Sequence, residues 1–221
     1  KLLTEELSAN NVSKIAGMLN GTSNFILSNM EEGADFEPTL ELAQKEGYAE
    51  PDPTFDIEGM DAAHKIGILS SLAFGTPLPP DDFYVEGISA IKKIDFKYAK
   101  EMGYTVKHLA VCKKNENKIE LRAHPVLIQE NSYLANLKSV RNGIEVETDL
   151  LGTLHIAGSG AGQESTASGV VSDLVHLANS NINISQSIKK YKSDLIDFLS
   201  LSFQYYFYIK AEDIPGVMAS I

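Results

Sequence analysis

Basic residues are scarce: 19 Lys and Arg stand against 30 Asp and Glu, giving a formal net charge of −11 over 221 residues. A surface of that sign repels a phosphate backbone. No basic run or basic–aromatic cluster opposes it, so nucleic acid is excluded as a partner. Cysteine is nearly absent. Cys112 has no second thiol to pair with, which points to a reducing compartment. It lies in the strand-like run Leu109-Ala110-Val111-Cys112 and reads as a small core residue rather than a nucleophile. No apolar run approaches the ~20 residues a membrane helix needs, and no signal peptide is visible. A cytoplasmic protein with no membrane contact is expected. His64, His108, His124, His155 and His176 never fall at a metal-ligand spacing such as H-E-x-x-H. No metal site is therefore expected, and His108 and His155 read as structural. There is no internal repeat. The chain opens on Lys1 rather than Met, and Met218-Ala219-Ser220-Ile221 falls inside an apparent helix, so a chain cut at both ends is expected.

What is present suffices for a core: 43% of residues are hydrophobic and 22% charged, ordinary values for a globular protein. Lys1–Ala9 reads as the end of a helix and Ile15–Leu19 as a short strand closed by Asn20-Gly21. Thr22 or Ser23 would cap a helix to about Met30. A second helix spans about Glu37–Glu46 and stops at Gly47. Tyr48–Glu58, with Pro51 and Pro53, reads as a loop. A long helix follows over Gly59–Phe74, with Ala62, Ile66, Leu69 and Ala73 as its buried stripe. After the Pro77–Pro80 linker come a helix over Ile94–Met102 and strands over Tyr104–Cys112, Lys118–Pro125 and Leu150–Ile156. Asn115-Glu116-Asn117 turns between the first two strands. Thr166–Asn179 reads as a helix, Ser180–Ser193 as a polar linker and Phe203–Ile209 as a strongly β-forming run. Pro215-Gly216 opens a last helix. Strands and helices mix without strict alternation. The expected class is α/β (α+β-like), a mixed β-sheet with helices packed on one face.

The densest chemistry lies between Glu50 and Lys65. Glu50, Asp52, Asp56, Glu58 and Asp61 crowd together there, which by composition alone could be a solvated acidic loop. Two features favour a site. Asp61 and Lys65 sit four apart at a helix start and share a face. The prolines hold Glu50 and Asp56 in a stiff loop just ahead of that helix end. A rigid scaffold presenting carboxylates and an ammonium suits a small zwitterion. A calcium loop fails on counting: from Asp52, the third residue is Thr54 and the sixth is Ile57, where glycine is needed. Gly158-Ser159-Gly160-Ala161-Gly162 precedes a helix and could let a ligand approach the backbone. No βαβ unit follows it, so it is weak as a dinucleotide fingerprint.

Together these pieces resemble homoserine dehydrogenase. The family pattern is carried by Ala43, Gly47-Tyr48-Ala49, Asp52-Pro53, Asp56-Ile57, Gly59, Asp61 and Lys65. Gly17-Met18-Leu19-Asn20-Gly21-Thr22 is similar to the family's strand–turn. Gly160-Ala161-Gly162 with Thr166-Ala167-Ser168 and Asp173 is similar to its late glycine loop. Ser165 departs from the pattern, standing where the family often has proline. The resemblance implies a catalytic, substrate-binding and dimerisation domain over residues 1–195, with the nucleotide-binding domain absent from this stretch and the fragment inactive alone. It implies Lys65 as acid/base. Glu50, Asp61, Asp56, Gly47 and Tyr48 would be at the substrate, and Asn20, Thr22, Gly47, Gly160 and Gly162 at the nicotinamide of NADP or NAD. The substrates would be L-homoserine and L-aspartate 4-semialdehyde, and the assembly a homodimer. Residues 203–221 resemble the start of an ACT regulatory domain, a ferredoxin-type βα unit with a possible amino acid effector. The alternative function is accordingly an amino-acid-binding regulatory module of that type.

Overall fold

The computed structural model describes residues 2–75, 79–160, 162–179 and 194–211. Strand β1 (Val12–Met18) leads through Leu19-Asn20 into helix α1 (Gly21–Glu31), followed by α2 (Phe36–Lys45), a short α3 (Thr54–Ile57) and α4 (Met60–Phe74). Strand β2 (Tyr84–Val85) and helix α5 (Lys93–Glu101) precede the long hairpin β3 (Tyr104–Asn115) and β4 (Lys118–Gln129). Strands β5 (Arg141–Thr148) and β6 (Gly152–Ser159), helix α6 (Gln163–Asn179) and β7 (Asp194–Leu195) complete the order. The strands form one seven-stranded sheet in the order β2-β4-β3-β1-β5-β6, with β7 also pairing β4. Its main ladders are antiparallel, whereas β2 and β7 join β4 in parallel. The mixed sheet is as expected.

Alternation along the central strands builds two layers, since successive side chains point to opposite faces. Ile15, Ala110 and Cys112 pack with Ala62, Ala63, Ile66 and Phe74 of α4. Their neighbours Ala16, Met18, Leu109 and Val111 pack instead with Leu134 and Leu137. Helices α1 and α5 add Ile26, Leu27, Met30, Phe96 and Ala99 around Val106. Each fully buried Ile or Leu contributes roughly 2 kcal/mol. Burial pushes the Cys112 thiol up to about 12, which suits the structural role expected of it.

Several local expectations are corrected. Asn20, not Thr22 or Ser23, caps α1, its side chain accepting from the Ser23 N–H at 2.7 Å. The proline-rich stretch is not all loop. It contains α3, which Asp52 stabilises by accepting from the Thr54 N–H at 3.1 Å and its hydroxyl at 2.6 Å. Strand β5 was not expected, although Ile144 and Val146 alternate with Glu145 and Glu147 along it. Helix α6 starts at Gln163, directly after Gly162 at φ +108°. Phe203–Ile209 forms no strand. A β-prone segment needs a ladder partner, and here Tyr206 donates to Asp95 at 3.1 Å while Tyr208 stacks on Tyr98 at 5.9 Å. The expected linker Ser180–Ser193 and the helix after Pro215 lie outside the described residues, so the ACT-type unit stays an expectation.

Lys107, on β3, is fully buried. Its ammonium donates to Leu137 O at 2.8 Å and Asn24 Oδ1 at 3.1 Å. Burial first, and then the Lys138 charge, lower its pKa to about 8, with Glu31 opposing. An unfolded lysine titrates near 10.4. Between pH ~8 and ~10.4 the unfolded chain therefore holds a proton that the folded chain has released. The expected result is that stability, relative to Lys107→Met, is flat below pH ~8 and rises from there to pH ~10.4. Denaturant midpoints across that range check the sign, and a falling difference would contradict the assignment.

Candidate active site

The site lies where the C-terminal end of β1, the start of α1, α3 and the first turn of α4 meet. Gly59 makes the last junction possible. It takes φ +84° ahead of α4, a left-handed conformation that costs glycine little. A Cβ there would lie 2.9 Å from His108 Nε2 and 3.1 Å from Glu86 O. His108 itself bridges to Glu86 O at 2.9 Å through Nε2. Because that oxygen can only accept, the ring carries its proton on Nε2. Burial holds the His108 pKa down, so it is a neutral structural residue, as expected.

Asp61 and Lys65, one helical turn apart, form an ion pair of 2.6 Å. Lys65 also donates to Leu19 O at 3.0 Å. An ammonium has three N–H donors, so these two bonds leave one without an acceptor among the described residues. The Lys65 side chain is 44% exposed and Asp61 20%, so the lysine is reachable from the open side. Asn20 holds the carboxylates in place. Its Nδ2 donates to Asp61 Oδ2 at 2.8 Å and to Asp56 Oδ1 at 2.7 Å, while its Oδ1 caps α1. One buried carboxamide thus ties the α1 N-terminus to α3 and α4. Ser23 adds a bond from its hydroxyl to Asp56 O at 3.0 Å.

The expected residues are brought together unevenly. Lys65, Asp61, Asp56 and Asn20 form one network. Thr22 is buried with its hydroxyl donating to Tyr48 O at 2.7 Å, which fixes the Gly47-Tyr48 turn, and the Tyr48 ring lies 5.1 Å from Phe25. The side-chain donors of Asn20 and Thr22 are therefore committed within the protein. Gly47 takes φ +76°, and nothing lies within 4 Å of a Cβ added there. Glu50 is exposed on the same loop. Its backbone carbonyl accepts from Gln44 at 3.2 Å, and its carboxylate accepts no hydrogen bond among the described residues. Gly160 packs against Asn142. Gly162 begins a shallow depression of about 520 Å³ with Ser159, Gln163, Glu164 and Ser165.

Sequence reasoning missed Asn142, and it named Ser23 only as a helix cap and not as a partner of Asp56. Asn142 donates to Leu19 O at 3.1 Å, the same carbonyl that Lys65 reaches. The period-two pattern of β5 was the signal that could have placed it. No group of three or more potential metal ligands occurs among the described residues. No helix among them is long and apolar enough to cross a membrane.

Comparison with known proteins gives one family throughout. Residues 1–175 match the family model described as homoserine dehydrogenase. The homoserine dehydrogenase of Pseudomonas aeruginosa is 44% identical, with 100% of this chain and 53% of the relative covered. That of Helicobacter pylori is 40% identical at the same coverages. The crystal structure of a homoserine dehydrogenase from Thiobacillus denitrificans superposes with a TM-score of 0.83 at 45% identity, covering 89% of this chain and 48% of that one. A hyperthermophilic archaeal homoserine dehydrogenase mutant in complex with NADPH gives a TM-score of 0.67 at 28% identity, covering 82% and 53%. The chain spans about half the length of the curated relatives it matches.

Proposed function

The chain belongs to the homoserine dehydrogenase family, and from that premise we propose that Asp61 and Lys65 form the acid/base centre of an oxidoreductase interconverting L-homoserine and L-aspartate 4-semialdehyde. The observation that carries this reading is the Lys65 ammonium, fixed by Asp61 and the Leu19 carbonyl with one N–H left to present.

A nicotinamide cofactor, NADP or NAD, would supply or accept the hydride. This chain's glycines suit one end of such a group. Gly47 and Gly158 leave open space where a Cβ would stand, and the depression at Gly162 is lined by neutral groups and Glu164. A carboxylate there suits the nicotinamide end better than the pyrophosphate.

The remaining chemistry belongs to side chains. Glu50 and Asp61 would take the substrate ammonium, since carboxylates pair with it and the Glu50 carboxylate has no partner among the described residues. As the aldehyde carbon gains hydride, its oxygen gains negative charge and needs a proton. Lys65 gives that proton in the reducing direction, and its neutral amine takes one back in the oxidising direction. Asp61, held by Asn20, fixes the lysine's rotamer by accepting one of its N–H groups. Leu150, Leu151 and Ile156 expose apolar side chains around β6, which supports the homodimer that the resemblance implies.

The test uses the protein at the length of its relatives. L-homoserine-dependent reduction of NADP+ or NAD+ is expected. A folded protein that binds either nucleotide but reduces neither with homoserine would sink the reading.

A further inference from the structure

We propose that Asn142 is a positioning residue for Lys65, its carboxamide linking the carbonyl that anchors the lysine to the glycine loop at Gly160. The inference rests on the reading of Lys65 as the proton-transfer group. Leu19 O accepts from Lys65 Nζ at 3.0 Å and from Asn142 Nδ2 at 3.1 Å. A carbonyl oxygen has two lone pairs, and these two donors use both. The amide orientation is fixed, because turning it over would set Oδ1 against Leu19 O.

The same amide nitrogen also faces the loop. A Cβ built on Gly160 would lie 2.0 Å from Asn142 Nδ2 and 2.6 Å from its Cγ. Any side chain at 160 would have to displace the Asn142 carboxamide from its place. Asn142 stands opposite Gly158 in the β5–β6 ladder, so the strand pair delivers both to the same place. The segment ahead of it is pinned from behind. Asn24, buried in α1, donates to Leu137 O at 3.1 Å and Arg141 O at 3.0 Å, and Lys107 adds its bond to Leu137 O. Asn142 is thus held by the backbone on both sides, and it passes that order to the Leu19-Asn20 turn. Where Lys65 presents its proton is set by this chain of contacts, and a misplacement of about 1 Å costs up to ~10²-fold in rate.

The experiment measures kcat and KM for L-homoserine in the protein at the length of its relatives. The variants are Asn142→Ala, Asn142→Asp, Gly160→Ala, the Asn142→Ala/Gly160→Ala pair and Lys65→Ala, each with its melting temperature. Asn142→Asp keeps the volume and replaces the donor with a charged acceptor, so it breaks the hydrogen bond without leaving a cavity, while Asn142→Ala breaks it without adding charge. Both Asn142 variants are expected to lose about tenfold or more in kcat, with KM changing by less than about threefold. A purely structural residue would lower the melting temperature and leave the kcat of folded protein intact. Gly160→Ala is expected to cost a similar factor alone and less than about twofold once Asn142 is alanine, because only the 3.2 Å approach to the residue-142 Cβ then remains. Full kcat in both Asn142 variants, or additive losses in the pair, overturns the inference. If Lys65→Ala also keeps its activity, the reading of the site falls with it. If Lys65→Ala is inactive, only the role of Asn142 falls.

Discussion

Replacing Lys65 with alanine, in the protein at the length of its relatives, is expected to lower kcat for homoserine oxidation about 100-fold or more. The loss should appear in both directions of the reaction, because one group gives and takes the same proton. Binding of the nucleotide should survive, since no donor of Lys65 is placed in the glycine loop. The truncation removes the ion pair with Asp61 and the bond to Leu19 O. The pair is partly exposed, Lys65 at 44% and Asp61 at 20%, and exposed pairs contribute roughly 0–1 kcal/mol, so the melting temperature should move little. A rate within a few-fold of the parent would return Lys65 to a structural ion pair.

Gly87→Ala is expected to damage the fold and the site together. A Cβ on Gly87 would lie 2.4 Å from Ile57 O and 2.5 Å from Glu58 Cα. Both are backbone atoms and cannot rotate aside. Ile88 donates its N–H to Ile57 O at 2.7 Å in the same place, so the segment after β2 is clamped to the end of α3. Forced overpacking costs about 1–3 kcal/mol and occasionally more, and two backbone clashes set this case at the upper end. Moving α3 also moves Asp56, and with it one of the two carboxylates that Asn20 holds. Denaturant unfolding should show a loss of about 3 kcal/mol or more, and residual folded protein should have reduced kcat. Parental stability would mean that α3 is not clamped as described.

The acidic site was legible because it is local. Asp61 and Lys65 are one turn apart on a single helix, so the helical period alone puts them side by side. Gly47 and Gly59 were legible for a similar reason, as a helix end and a helix start. The cap at Asn20 was misassigned to Thr22 or Ser23 because all three side chains can cap. Choosing among them depends on Asp56 and Asp61, which lie 36 and 41 residues away. The period-two pattern of β5 could have put Asn142 on a strand, but not beside its partner carbonyl, which is 123 residues distant. The Phe203–Ile209 run shows the opposite limit. Its composition favours a strand, yet a strand exists only when another backbone offers a ladder. Buried Lys107 was not singled out either, since burial of a lysine depends on acceptors from α1 and Leu137 that only the fold assembles.

The most direct measurement compares L-homoserine with 4-hydroxybutanoate, the same carbon chain without the ammonium, as hydride donors in the protein at the length of its relatives. Glu50 and Asp61 as ammonium ligands should give a kcat/KM preference of at least about 10³-fold for homoserine, because a site built for a polar group is left unpaired by an analogue that lacks it. Equal turnover of the two would contradict carboxylate recognition of the amino acid and, with it, the site as assembled around Asp61 and Lys65.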